Sequence, residues 1–189
     1  PQNAKLKMIE DPYEYRDRLT LPKFCINSAG DQFFLPDSWQ FYWDELKGPK
    51  HIRYVPNTGH GLRDSDAIDS LAAFYHAILN KTTLPRYQWK VAKDGTITAK
   101  AQDKPQAVRL WQVTNPDARD FRIDQIKNKW TATDLKPNKK GQYTARPENP
   151  DKGWTAYMIE LTFPGKVRPF KFSSGIVVRP DALPFAGKK

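Results

Sequence analysis

At residues 82–85 the chain changes character. Before Leu84, compact apolar runs alternate with helix-spaced ones; after Pro85 only strand-like runs remain, broken by Pro, Gly, Asn and Asp. Such a break calls for two differently built modules, so Thr82-Thr83-Leu84-Pro85 is read as the junction between residues 1–84 and 85–189. The charge divides at the same place. Residues 1–84 carry 10 Lys/Arg and 11 Asp/Glu, a net of −1, whereas residues 85–189 carry 21 and 10, a net of +11. Together these give the +10 of the whole chain. With 39% hydrophobic residues, six Trp, eight Tyr and ten Phe among 189, there is enough apolar material for a core, and general disorder is excluded. No apolar run approaches the roughly 20 residues that span a bilayer, and no signal peptide or lipidation motif is visible. The single Cys25 excludes an internal disulfide and any cysteine-based zinc cluster.

In the first module, Lys23-Phe24-Cys25-Ile26-Asn27-Ser28-Ala29 suits a buried parallel strand closed by Gly30-Asp31. After Pro36-Asp37-Ser38, residues Trp39, Tyr42, Trp43 and Leu46 fall at i, i+3, i+4 and i+7, which predicts a helix stopped by Gly48-Pro49. His51 to Pro56 reads as a second strand ending in the loop Asn57-Thr58-Gly59-His60-Gly61. Asp64-Ser65-Asp66 then offers caps to a helix whose inner face is expected to be Ile68, Leu71, Ala72, Tyr75, Ile78 and Leu79. Strand, helix, strand, helix in this order implies a parallel sheet with right-handed crossovers.

Chemistry in such a sheet gathers beyond the carboxyl ends of the strands, where Asp31 and His60 both fall. An Asp and then a His at successive strand ends is the order of an α/β-hydrolase triad, with the carboxylate orienting an imidazole that takes the nucleophile's proton. The nucleophile is not in these residues. No Gly-x-Ser-x-Gly occurs, Ser28 lies within a strand, and Ser173-Ser174-Gly175 lies in the second module. The expectation is therefore the C-terminal part of a larger enzyme whose serine lies upstream of Pro1. Asp37, Asp64 and Asp66 are rival acids that read more simply as helix-start residues, and His51 and His76 read as structural. Cys25, between Phe24 and Ile26, reads as a small buried apolar group, and Trp39, Tyr42 and Trp43 as core. Phe33, Phe34 and Leu35, beside Asp31, are the candidates for a substrate cleft.

Asp11 to Lys23 looks like the lead-in to the acid-bearing strand of many α/β-hydrolases. Ser28 to Ser38 together with Tyr54 to His60 is more specific and resembles the PhoPQ-activated pathogenicity-related protein family, as does Arg109 to Arg122. The resemblance implies Asp31 as triad acid and His60 as triad base. It also implies an exported or envelope-associated bacterial protein of poorly defined substrate, an ester or a peptide. The family's hydrolase half with its serine elbow would be the missing N-terminal portion.

The second module reads as about seven short strands, among them Tyr87 to Val91, Thr96 to Ala99 after the Asp94-Gly95 turn, Val108 to Val113, Trp130 to Thr133, Gln142 to Ala145, Trp154 to Phe163 and Phe170 to Val178. That suits an immunoglobulin- or fibronectin-like β-sandwich. The whole is thus expected to be α/β followed by all-β: the C-terminal portion of an α/β-hydrolase parallel sheet (1–84) with a β-sandwich (85–189). Cations interleaved with aromatics suit a single-strand nucleic-acid groove, but strands with one buried and one solvated face give the same alternation. No nucleic-acid-binding signature is present. An anionic envelope surface is a looser possible partner for the basic module. The functional expectation is acyl transfer to water with no metal or organic cofactor, and no turnover by residues 1–189 alone. Its rivals are a non-catalytic accessory protein of hydrolase fold and a basic module that binds an anionic surface.

Overall fold

The computed structural model describes residues 2–185, with side chains from residue 5. Among them are three α-helices and ten strands, and nearly all strand pairing is antiparallel. The expected α/β-hydrolase sheet does not form. The only parallel pairing among the described residues joins β1 (Lys23–Ser28) to β2 (Lys50–Val55), in register Phe24 with His51 and Ser28 with Val55.

The physical reason lies between and around these strands. The crossover helix predicted at 39–46 is replaced by two short 3₁₀ turns, Ser38–Phe41 and Trp43–Glu45. Its aromatic residues pack on the second half of the chain: the Trp39 and Trp43 rings lie 4.9 and 5.7 Å from that of Trp89, and Trp39 Nε1 donates to the Ile176 carbonyl at 2.7 Å. Three large rings drawn to one surface satisfy their burial without a regular helix, so the helical spacing was a side effect of that packing. The far side of β2 is also met by antiparallel structure, where the Tyr54 amide donates to Ser173 Oγ at 3.0 Å.

The remaining strands are β3 (Tyr87–Val91), β4 (Ile97–Ala101), β5 (Ala107–Asn115), β6 (Thr131–Asp134), β7 (Gln142–Ala145), β8 (Trp154–Phe163), β9 (Phe170–Ser173) and β10 (Val177–Arg179). Long β8 pairs along its length with β5 on one side and with β10 and β9 in succession on the other; β6 completes this five-stranded sheet beyond β5. A second sheet has the order β3-β4-β7. The sheets share one core, in which Ile97, Ala99 and Ala145 meet Tyr157, Ile159 and Leu161. Both core clusters also take residues from before residue 84, among them Ala73, Ala77, Trp43 and Tyr54.

A nine-residue helix, α1 (Gln2–Glu10), leads into the chain, and a short one, α3 (Ile123–Ile126), follows β5. The helix α2 (Ala67–Leu79) forms where the sequence places it, with the opposite face inward. Ala67, Ser70, Ala73, Phe74 and Ala77 are buried, whereas Ile68 is 68% and Tyr75 61% exposed, and Leu71, Ile78 and Leu79 are exposed too. Apolar residues run round most of this helix, so periodicity alone does not choose the face. Small residues win because they let α2 approach closely, and Phe74 reaches the Phe24 ring on β1 at 5.2 Å. The N-terminus of α2 is secured by charge: Arg53 of β2, 1% exposed, pairs with Asp66 and reaches Ser70, and Lys171 of β9 meets Asp66 at 2.6 Å. Asp66 makes no side-chain cap; the nearby Ser65 hydroxyl accepts from the Ala67 amide instead. Asp37 likewise caps nothing and pairs with Arg119.

Candidate active site

Two loops leave the carboxyl ends of β1 and β2 and meet. Ser28, the last residue of β1, donates its hydroxyl to the Thr58 carbonyl at 2.6 Å and accepts from the Gly30 amide at 3.1 Å. Thr58 in turn donates to the Val55 carbonyl at 2.8 Å. The loops approach so closely that a Cβ on Gly30 would lie 2.7 Å from the Thr58 carbonyl oxygen, and one on Gly59 3.0 Å from the Gln32 amide group. Glycine at both positions is what permits the contact. Each loop is also tied to the second half of the chain. The Ile123 amide donates to the Gly30 carbonyl at 2.9 Å, and the Asn57 side chain exchanges two bonds with the Trp130 backbone at 2.9 and 3.1 Å.

This lacing brings Asp31 and His60 together. His60 Nδ1 lies 3.0 Å from one Asp31 carboxylate oxygen and 3.2 Å from the other. The Asp31 side chain is 10% exposed and that of His60 52%. The Phe33 and Phe34 amides donate to Asp31 Oδ1 at 2.8 and 3.2 Å. Partial burial pushes the Asp31 pKa up, but the Phe33 amide, the hydrogen bond with His60 and the Phe34 amide outweigh it and hold the carboxyl below its ordinary range. The carboxylate is therefore ionised at neutral pH and only accepts, which places the proton of a neutral imidazole on Nδ1 and leaves Nε2 with a free lone pair. The His60 amide is itself held, donating to Gln32 Oε1 at 3.0 Å.

Phe33 and Phe34 flank the imidazole, with ring centroids 4.8 and 6.0 Å from it. Leu35, exposed beside them, lines a pocket with both phenylalanines. Ser28, Ser173 and Ser174 are buried and already engaged in hydrogen bonds. Burial pushes the Cys25 thiol pKa up, opposite to the direction a thiolate nucleophile requires. His51 stacks on Phe172 at 4.5 Å, far from this chemistry in role. Among the described residues no group of three or more His, Cys, Asp or Glu side chains is placed to hold a metal ion, and no helix is long and apolar enough to cross a membrane.

Sequence reasoning passed over Gln32, whose only signal was its place next to Asp31. It also passed over the opposite side of the pocket, formed by residues 117–122, Trp154 and Phe185. The run from Arg109 to Arg122 carries part of the family resemblance, but nothing local in it points to a site more than 80 residues earlier in the chain.

A family model described as PhoPQ-activated pathogenicity-related protein matches residues 1–122. The chain is also similar to autocrine proliferation repressor protein A of Dictyostelium discoideum, at 32% identity over an alignment of 213 residues covering 98% of this chain and 43% of that protein. It thus spans less than half the length of this curated relative. No solved structure matches.

Proposed function

This chain belongs to the PhoPQ-activated pathogenicity-related protein family, and on that footing we propose that Asp31 and His60 are the acid–base half of a secreted or envelope-associated hydrolase that transfers an acyl group to water. The observation that carries the reading is the Asp31–His60 contact itself. Its carboxylate is nearly buried, ionised and held by two backbone amides, and its imidazole is half exposed with Nε2 unencumbered. An ordinary surface pair has no such scaffolding, and its two side chains stay free to swing.

In this reading Asp31 sets the tautomer and stabilises the imidazolium. His60 Nε2 takes the proton of an attacking hydroxyl, returns it to the leaving group, and then activates the water that releases the acyl group. The hydroxyls of Ser28, Thr58, Ser173 and Ser174 are buried and take no part, and this reading takes its nucleophile from polypeptide outside residues 1–189. The name of the Dictyostelium relative, an autocrine repressor, is in keeping with a protein that works outside the cell.

A fluorophosphonate probe tests the proposal on a longer family chain carrying this segment. A serine is labelled, labelling is abolished by His60→Ala, and Asp31→Asn slows it by about 10³-fold or more. Full labelling of the His60→Ala protein overturns the assignment. Purified residues 1–189 are expected to hydrolyse no ester.

A further inference from the structure

Across Phe33 and Phe34 from His60 lies a pocket of about 480 Å³, within the range that receives small organic ligands. One wall is the loop after β1, with Phe33, Phe34, Leu35 and Pro36. The other comes from the far half of the chain: Phe121, Trp154, and the tail at Pro184 and Phe185. Trp154 Nε1 donates to the Ala182 carbonyl at 3.1 Å and so lays that tail along the wall. The 115–122 loop is braced before any ligand arrives. The Asn115 side chain accepts from the Asp117 and Ala118 amides at 3.0 and 3.3 Å and donates to the Asp120 carbonyl at 2.6 Å.

The charges decide what such a pocket accepts. Five charged side chains line it, and each stands in an ion pair, although Arg119 Nε is buried without a hydrogen-bond partner. Asp31 holds His60 at 3.0 Å, Asp117 holds Lys152 at 3.1 Å, Asp120 holds Arg122 at 2.6 Å, and Arg119 pairs with Asp37 where both side chains are about nine-tenths buried. A charged ligand group entering here has to compete with an existing ion partner at each of these side chains while giving up part of its water, so the wall favours an uncharged group. Aromatic rings and uncharged surface remain, which attract an apolar group through burial.

We propose that this pocket receives the uncharged apolar acyl group of the substrate, so that the all-antiparallel half of the chain supplies half of the specificity surface. The inference rests on the acyl-transfer reading for the word substrate, and on the pocket alone for the chemistry of what binds. Phe33 lines both this pocket and the cleft that His60 lines, and so joins the two. With the acyl chain between Phe34 and Trp154, its carbonyl end lies at the Phe33 rim, toward the cleft of about 630 Å³ that His60 lines. Phe33 and Phe34 are then specificity-determining residues for the acyl group.

Octanamide, neutral and with an eight-carbon acyl chain, is the probe, and acetamide its control. Titrated into the ¹⁵N-labelled 189-residue chain, octanamide is expected to shift the Trp154 indole signal and the amides of Phe33 to Leu35 saturably. Acetamide leaves both in place. Phe34→Ala, at an exposed position that leaves the core intact, weakens octanamide binding by roughly fivefold, and Phe33→Ala does the same. No saturation, shifts confined to other residues, tighter binding of octylammonium or octanoate than of octanamide, or unchanged affinity in both variants overturns the proposal. Because the readout is binding, octanamide bound without fluorophosphonate labelling sinks the acyl-transfer reading alone. Labelling without octanamide binding sinks the pocket alone.

Discussion

Acid should destabilise this protein through His51, beginning as the pH falls below 6.5. The imidazole stacks on Phe172 at 4.5 Å, sits near the Phe74 and Tyr87 rings at 6.0 and 5.8 Å, and has a buried Nδ1 without a hydrogen-bond partner. Burial lowers its pKa from the ordinary 6.5 to about 4. The folded state therefore binds the proton less readily than the unfolded chain. Stability is undiminished above pH 6.5, falls as the pH drops from 6.5 toward 4, and loses nothing further from this group below that. At 1.36 kcal/mol per pH unit the full loss is about 3 kcal/mol, and at pH 5 about 2 kcal/mol. Phe172, Phe74 and Tyr87 carry no charge in this window, since burial pushes the Tyr87 pKa further up. Urea unfolding of the native protein and of His51→Phe, each at pH 7.5 and pH 5, isolates the effect, because other titrating groups act equally in both. The native chain is expected to lose about 2 kcal/mol more than the variant between the two conditions. An equal loss in both refutes the assignment of the acid sensitivity to this ring.

Removing Asp66 leaves the almost fully buried Arg53 guanidinium with only the Asp66 carbonyl and Ser70 as partners, so Asp66→Ala should cost about 2 kcal/mol in urea unfolding. The two faces of α2 should respond oppositely to charge. Tyr75→Lys on the outward face stays within about 0.5 kcal/mol of the native chain, whereas Ala77→Lys, at 1% exposure, prevents cooperative folding; a large loss from Tyr75→Lys would mean that the inward face is misassigned. A methyl group on Gly175 would run into the Trp39 indole, so Gly175→Ala should destabilise by about 2 kcal/mol and alter the Trp fluorescence, and an unchanged spectrum and midpoint would rule out that contact.

The parts of this protein readable in the sequence were those whose cause is local. β1 and β2 form at the two compact apolar runs, Asp94-Gly95 turns where expected with Gly95 at φ +89°, and β8 follows its long run from Trp154 to Phe163. The Asp31–His60 meeting was legible for a related reason: each residue ends a strand, and the strands are parallel neighbours. The predicted run from Phe170 to Val178 instead breaks into β9 and β10 at Ser174-Gly175, where Ser174 bonds back to Ile159 and Trp39 lies against Gly175. Both partners are distant in sequence.

By itself, then, the amino-acid order determined the extended runs, the turns and the catalytic candidates, because backbone preference and side-chain alternation act over a few residues. Only the tertiary structure decided that the molecule is mostly antiparallel, that the aromatic run from Trp39 to Trp43 is not a helix, and that α2 turns its small residues inward. It alone brought Phe121 and Trp154 to face Phe34 across a pocket. These outcomes depend on which surfaces bury most effectively against one another, and that competition is settled among residues far apart in the chain.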